Sequence, residues 1–354
     1  MKLLSFIFQV VVVVANTPCC DAFLHLRANK AGVLPSNRVP IGNKEYRRWI
    51  GSSTLMNSSE SLGGQESTAD ENGGTSDFDD VIAGRRRRVV TGYRAASLSY
   101  LGSAIIFLMA QTINPFLVYL VSGPVLVSGV TYILSGAALN DRLGSDTYKR
   151  LNLYTALYAS IGLSLPILEP GVFNKPVFIV PPLLTLVNAV KGYTYGALGW
   201  DKQSGSFSSD LIAGTKSTVG TFFKPPKNIK AFGYLGASIT VGAMKLLKLV
   251  QIIDMIQAET VALKIATRLL RFGRLAMLTA VLFTLKDAAD RDRLEGTTFI
   301  ELNFLSSFAL ASMSVYVASI GGSVNNQLAA AVGVMSLFTG YNGASSLYKK
   351  RKSS

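Results

Sequence analysis

Two stretches decide the fold: Thr131–Thr155, TYILSGAALNDRLGSDTYKRLNLYT, and Leu282–Ser306, LFTLKDAADRDRLEGTTFIELNFLS. They align without gaps at an offset of 151 and share 9 of 25 residues. The identities are Leu134/Leu285, Ala137/Ala288, Ala138/Ala289, Asp141/Asp292, Arg142/Arg293, Leu143/Leu294, Thr147/Thr298, Leu151/Leu302 and Asn152/Asn303. Each stretch reads as the end of an apolar helix, a polar turn, and the start of the next helix. Self-similarity at a fixed offset marks a duplicated unit.

Apolar stretches lie on both sides of these turns. Spans are predicted near 97–119, 121–139, 151–168, 177–199, 231–250, 269–285, 302–320 and 327–347. Each is close to the ~20 residues needed to cross a ~30 Å hydrocarbon core. The composition agrees. Hydrophobic residues make up 49% of the 354, charged residues 16%, and the mean hydropathy is +0.34. A soluble domain of this size carries about a quarter charged residues. Tyr100-Leu101-Gly102 against Tyr234-Leu235-Gly236, and Gly192-Tyr193 against Gly340-Tyr341, extend the match. The expected fold is all-α: about eight transmembrane helices in two tandem four-helix repeats, 93–200 and 227–348, joined by a loop at 201–226. An even span number per unit makes the repeats parallel. The second unit carries about 17 extra residues within 244–274. Lys264, Arg268 and Arg271 share a helical face there. The segment reads either as an interfacial amphipathic helix or as an extension of spans five and six.

The net charge of +14 is topological. The first ninety residues hold eleven basic against nine acidic side chains, the remainder 24 against 12. Twenty basic residues fall on the side of the N-terminus, from Arg85–Arg88 through Arg142 and Lys286 to the basic tail at 349–354. The other side has Lys175 and the six cations of the insertion. By the positive-inside rule the lipid bilayer is the partner, and nucleic acid is not.

The N-terminal region reads as an address. Lys2 precedes an apolar run, Leu3–Val14, too short to span comfortably, and small residues precede Phe23. Residues 1–22 are thus a signal peptide. Residues 23–60 are basic and Ser-rich with a single acid before Glu60, which is transit-peptide composition. Residues 61–92 read as a disordered acidic linker ending in a basic flank. The junction Asp21-Ala22-Phe23-Leu24 resembles the bipartite presequence of red-lineage complex-plastid proteins. That resemblance implies a plastid membrane, thylakoid or inner envelope, with both mature termini stromal and photosynthetic membrane complexes as candidate partners.

From about residue 90 the chain has no His and no Cys. This removes His- or Cys-ligated metals, Fe–S clusters and Ser-His-Asp or Cys-His catalysis. Acids and amides remain. Asp141, Arg142, Asn152, Asp292, Arg293, Asn303 and Asn188 are the candidate polar interface residues, forming either local acid–base pairs and helix bridges or a site between the repeats. No cofactor is expected on this reading, and the role is non-catalytic: solute transport or scaffolding. Asn140-Asp141 with Asp146, and Lys286-Asp287-Ala288-Ala289-Asp290-Arg291-Asp292 before Gly296, resemble in part the Asp-rich motifs of UbiA-type intramembrane prenyltransferases. That resemblance implies an Mg²⁺–diphosphate site on Asp141, Asp146, Asp287, Asp290 and Asp292. The sequence departs from the motif at Gly144.

Overall fold

The computed structural model describes residues 74–110, 112–200, 207–246 and 261–353. The signal and transit segments lie outside them. All regular structure among the described residues is α-helical. The helices are α1 (Gly74–Ala110), α2 (Pro115–Leu139), α3 (Asp146–Leu168), the short α4 (Pro170–Phe173), α5 (Pro176–Leu198), α6 (Phe207–Phe223), α7 (Ile229–Leu246), α8 (Val261–Asp290), α9 (Thr297–Ile320) and α10 (Ser323–Ser353).

Four of these, α2, α3, α5 and α9, are long and apolar enough to cross a membrane. They have 23–25 residues and mean hydropathies of 1.3 to 1.9 over their most apolar stretch. The chain therefore has the helices of a membrane protein, fewer by this measure than the eight expected. Charge separates α8 from the four, since Arg268, Arg271, Arg274, Lys286, Asp287 and Asp290 all lie on it.

Three boundaries differ from expectation. The first apolar stretch stops at Ala110, and α2 starts at Pro115 rather than at 121. Asn114 and Pro115 cause this. Proline fits the first helical position because its missing N–H is needless there, and the Asn114 side chain accepts from Leu117 N at 2.8 Å. The segment expected as a linker is helical from Gly74 onward. Asp77, Asp79 and Asp80 fall in its first two turns, where the helix dipole favours acids. The loop expected at 201–226 contains α6. In the insertion, residues 247–260 lie outside the described ones, and Val261–Asp290 is one continuous helix. Residues 261–268 are thus continuous with the helix of expected span six.

Packing places the polar turns. The helices α1, α2, α9, α10, α7, α8, α3 and α5 each pack on the next in that order, and α5 packs back on α1. Thus α2 packs on α9 and α8 on α3, while α2 also touches α8. Helix α2 is the most enclosed candidate span, 72% buried against 33–44% for the others. The outer faces of α5 and α10 present Val180, Leu183, Val187, Val334 and Leu337. Such an apolar surface suits lipid.

Candidate functional site

The two quoted stretches adopt the same turn. Asp141 and Asp292 have φ of 55° and 54°, the only left-handed non-glycine residues among those described. Arg142 N donates to Ala137 O and Arg293 N to Ala288 O, both at 2.8 Å. This six-to-one bond closes a Schellman helix end, with aspartate at the position usually held by glycine. Leu134/Leu285, Leu151/Leu302 and Asn152/Asn303 are each 0% exposed.

The buried amides do the same job twice. Tyr93 Oη donates to Asn152 Oδ1, and Tyr234 Oη donates to Asn303 Oδ1 at 2.6 Å. One bond ties α1 to α3, the other α7 to α9. Asn152 and Asn303 are therefore helix bridges; Asn303 Nδ2 also donates to Phe299 O at 2.9 Å, whereas Asn152 Nδ2 is buried without a hydrogen-bond partner. Glycines make room for them. A Cβ on Gly192 would overlap Tyr93 Oη, and one on Gly343 would meet Asn303 Cβ at 3.2 Å. Gly196 comes so close to the turn that a Cβ would fall 2.5 Å from Leu143 O. Asn188 donates to Leu184 O at 2.7 Å and packs on Gly92.

These contacts shift one register. Tyr234 corresponds to Tyr93 rather than Tyr100, seven residues or two turns away. Gly92-Tyr93-x-x-Ala96-Ser97 and Gly233-Tyr234-x-x-Ala237-Ser238 share four residues that sequence reading missed. Their contacts agree: Ser97 Oγ lies 3.1 Å from Ser128 Oγ, and Ser238 Oγ is 3.5 Å from the carbonyl oxygen of Thr279, the residue at the matched offset.

The acids do not converge. Asp141 is exposed, pairs with Arg86 at 3.2 Å, and accepts from Trp200 Nε1. The Arg85 guanidinium donates to Trp200 O at 2.7 Å. Asp146 is exposed in the first turn of α3, where neither it nor Ser145 makes a side-chain cap. Arg142, Asp292 and Arg293 are exposed. Asp287 and Asp290 instead belong to a buried ionic cluster. Asp287 Oδ2 lies 3.3 Å from Arg150 Nη1 and 3.1 Å from Arg291 Nη2. Arg150 also donates to Ser217 Oγ and Thr221 Oγ1 of α6 at 3.3 Å. Lys286, fully buried, donates to Lys224 O at 2.8 Å and lies 2.8 Å from Asp290 Oδ2. Lys227 N donates to Asp290 Oδ1 at 2.8 Å. Burial pushes the Asp290 carboxyl up, but the Lys227 N–H and the Lys286 and Lys224 ammoniums outweigh it, so the net shift is downward. The cluster clamps the α6–α7 segment onto the end of α8. Its acids are already matched by cations, and no three acids among the described residues gather as a metal-holding group. The five carboxylates implied by the prenyltransferase resemblance are not brought together.

One charged side chain is in a different state. Arg274 of α8 is 4% exposed and lies among α2, α3 and α9. Its Nη2 donates to Ala309 O at 3.3 Å and Ser312 Oγ at 3.2 Å. Its Cζ sits 3.5 Å from the Tyr119 ring centroid, and Tyr119 stacks on Tyr316 at 4.7 Å. Sequence reading had counted it with the interfacial cations of the insertion. One signal did point to it: subtracting the offset of 151 gives Gly123. Gly123 is the residue that packs against the Arg274 stem. A Cβ there would lie 3.6 Å from its Cδ and 3.7 Å from its Cγ.

No family model, curated protein or solved structure matches this chain.

Proposed function

We propose that this chain is an integral membrane protein of a complex plastid, in the thylakoid or inner envelope, with a non-catalytic role in solute passage. On this reading eight helices span the bilayer as two parallel four-helix units, α1–α5 and α7–α10, which meet through α2, α3, α8 and α9. Support comes from the doubled Tyr–Asn bond, the doubled aspartate turn and the reciprocal packing of α2 on α9 and α8 on α3. In membrane proteins built from repeats, solute sites lie where the repeats meet.

The observation that carries passage over pure scaffolding is Arg274. A charge within membrane-spanning helices is costly and ordinarily marks a path for a solute or ion. Scaffolding in the photosynthetic membrane is the second reading, favoured by the Tyr–Asn helix bridges at Asn152 and Asn303. Magnesium-dependent prenyl transfer has little support, because Asp287 and Asp290 are already paired with cations.

Osmotic swelling of liposomes containing the full chain, read by light scattering, tests passage. Faster swelling than in empty liposomes for at least one of potassium nitrate with valinomycin, glycerol and urea is expected. Equal rates for all three, with a folded protein by circular dichroism, would leave scaffolding as the function. A fluorescent reporter behind residues 1–60 tests the compartment: plastid fluorescence is expected, and reticular fluorescence contradicts it.

A further inference from the structure

Arg274 has five N–H donors. Two on Nη2 reach Ala309 and Ser312. The three on Nε and Nη1 are buried and reach no acceptor. No Asp or Glu among the described residues pairs with this guanidinium. The Tyr119 ring offers its face to the cation, which compensates charge in part. A buried charge in this condition is expensive until an acceptor with negative charge arrives.

The same helix supplies an approach. Arg268, Arg271 and Arg274 recur every third residue on one helical face and pass from exposed through half-buried to buried. Each step advances about 4.5 Å along the axis. Arg268 and Arg271 have contacts of their own; they mark a line of polar side chains along the helix, and the site stands on Arg274 alone. The ladder ends where α8 meets α2, at Gly123. Tyr158 Oη stands 3.2 Å from where a Gly123 Cβ would be, which leaves little room for a bulky ligand.

We propose that Arg274 is the recognition residue for a small monovalent oxyanion, of the carboxylate or nitrate type, bound at the contact between the two four-helix units. One uncompensated charge fits one negative charge, and the free Nε and Nη1 hydrogens fit oxygen acceptors. Binding stands on the geometry alone; transport of the anion rests on the passage reading.

The test is the thermal unfolding midpoint of the full chain in detergent, titrated with potassium nitrate against potassium gluconate, a carboxylate whose six-carbon chain is too bulky for the space beside Tyr158, at equal ionic strength. A saturable rise with nitrate over gluconate is expected, as for any ligand of the native state. In Arg274→Gln the half-effect concentration is expected to climb about tenfold or more, the usual worth of one charge-assisted contact. Arg274→Lys keeps the charge and is expected to retain a weaker rise, which guards against a glutamine variant that fails to fold. An equal rise in wild type and Arg274→Gln, or none in folded wild type, overturns the site. A rise with dodecanoate but not nitrate overturns the small-solute form, since the anion is then a lipophilic acid. The liposome assay separates the two ideas. A nitrate-dependent rise without nitrate swelling keeps the site and ends the passage reading. Glycerol swelling that persists in Arg274→Gln, with no nitrate rise in wild type, does the reverse.

Discussion

The Tyr93–Asn152 and Tyr234–Asn303 bonds are two copies of one contact, whereas Gly123 and Arg274 hold matched positions with opposite chemistry. The first pair keeps its residue types, its burial and its hydrogen bond in both places. The second pair sits where α2 touches α8 and shares nothing but that place. In a duplicated bundle, a residue and its own counterpart meet only near the axis that relates the halves. Two arginines there would repel, and two glycines would leave a gap. One of each fills the space and leaves a single charge. The symmetric contacts hold the helices together, and this asymmetric position is free to bind.

Several substitutions probe this contrast, and the largest effect belongs to the ionic cluster. Asp287→Ala strands the buried Arg150, and losing one partner of a buried pair costs about 3–5 kcal/mol. A thermal melt in detergent is expected to show the greatest loss of the series. A loss no larger than that of a surface substitution contradicts a structural clamp and would return Asp287 to the list of functional acids. Next come the glycines under the tyrosine bonds. Gly192→Ala drives a methyl into Tyr93, and overpacking of this kind costs about 1–3 kcal/mol. Gly123→Ala meets only ordinary van der Waals contact with the Arg274 stem and a tighter approach to Tyr158 Oη, so a smaller loss is expected from the same melts. The reverse ranking would break the division between a packed pair and an open axis.

The tyrosine bonds themselves should be interchangeable. Tyr93→Phe and Tyr234→Phe each remove one buried hydrogen bond, worth about 1 kcal/mol. The double variant is expected to lose the sum of the two, because the bonds lie in separate helix pairs. Strongly unequal losses would show that the two copies no longer share a job.

Acid provides a weaker lever. The Asp290 carboxyl is depressed in the folded chain, despite the upward push of burial. Its contribution is therefore complete above the unfolded carboxylate range and is lost as pH falls through the folded value. The melting midpoint is expected to drop below about pH 4, and less steeply in Asp290→Asn. Smallest of all is the turn. Asp292→Gly relieves a left-handed backbone and is expected to gain a few tenths of a kcal/mol, at most about 1. Asp141→Gly relieves the same strain but loses Arg86 and Trp200, and is expected to be near neutral. A gain at Asp141 equal to that at Asp292 would mean those contacts contribute nothing.

The all-helical class and four helices of membrane-spanning length were legible in the apolar runs, and the shared turns at Asp141 and Asp292 in the two similar stretches that carry them. Helix ends were less legible. The break at 112–114 depends on a cap and a proline inside a continuously apolar stretch, and hydropathy does not register it. The first-helix register slipped because Tyr-Leu-Gly matched at the wrong tyrosine, while the helix contacts depend on Gly-Tyr and Ala-Ser four residues apart. The candidate site was legible only in part. Exposed Asp141 and Asp292 drew attention through their repetition, yet repetition marked a turn that both halves need. Arg274 has only a glycine at its matched position, Gly123, and reads as one more cation of the insertion. Its isolation follows from α2, α3 and α9 closing around it, a tertiary fact that no local pattern encodes.

The most direct measurement exchanges the two axial residues. Removing Arg274 vacates the volume beside Gly123, so an arginine placed at 123 has room to lay its stem there. Arg274→Gly alone is expected to abolish the nitrate-dependent rise in melting midpoint. The double variant Gly123→Arg/Arg274→Gly is expected to regain at least half of it, since the charge returns to the same place from the opposite helix. A double variant that folds but stays as unresponsive as Arg274→Gly would contradict a shared axial site.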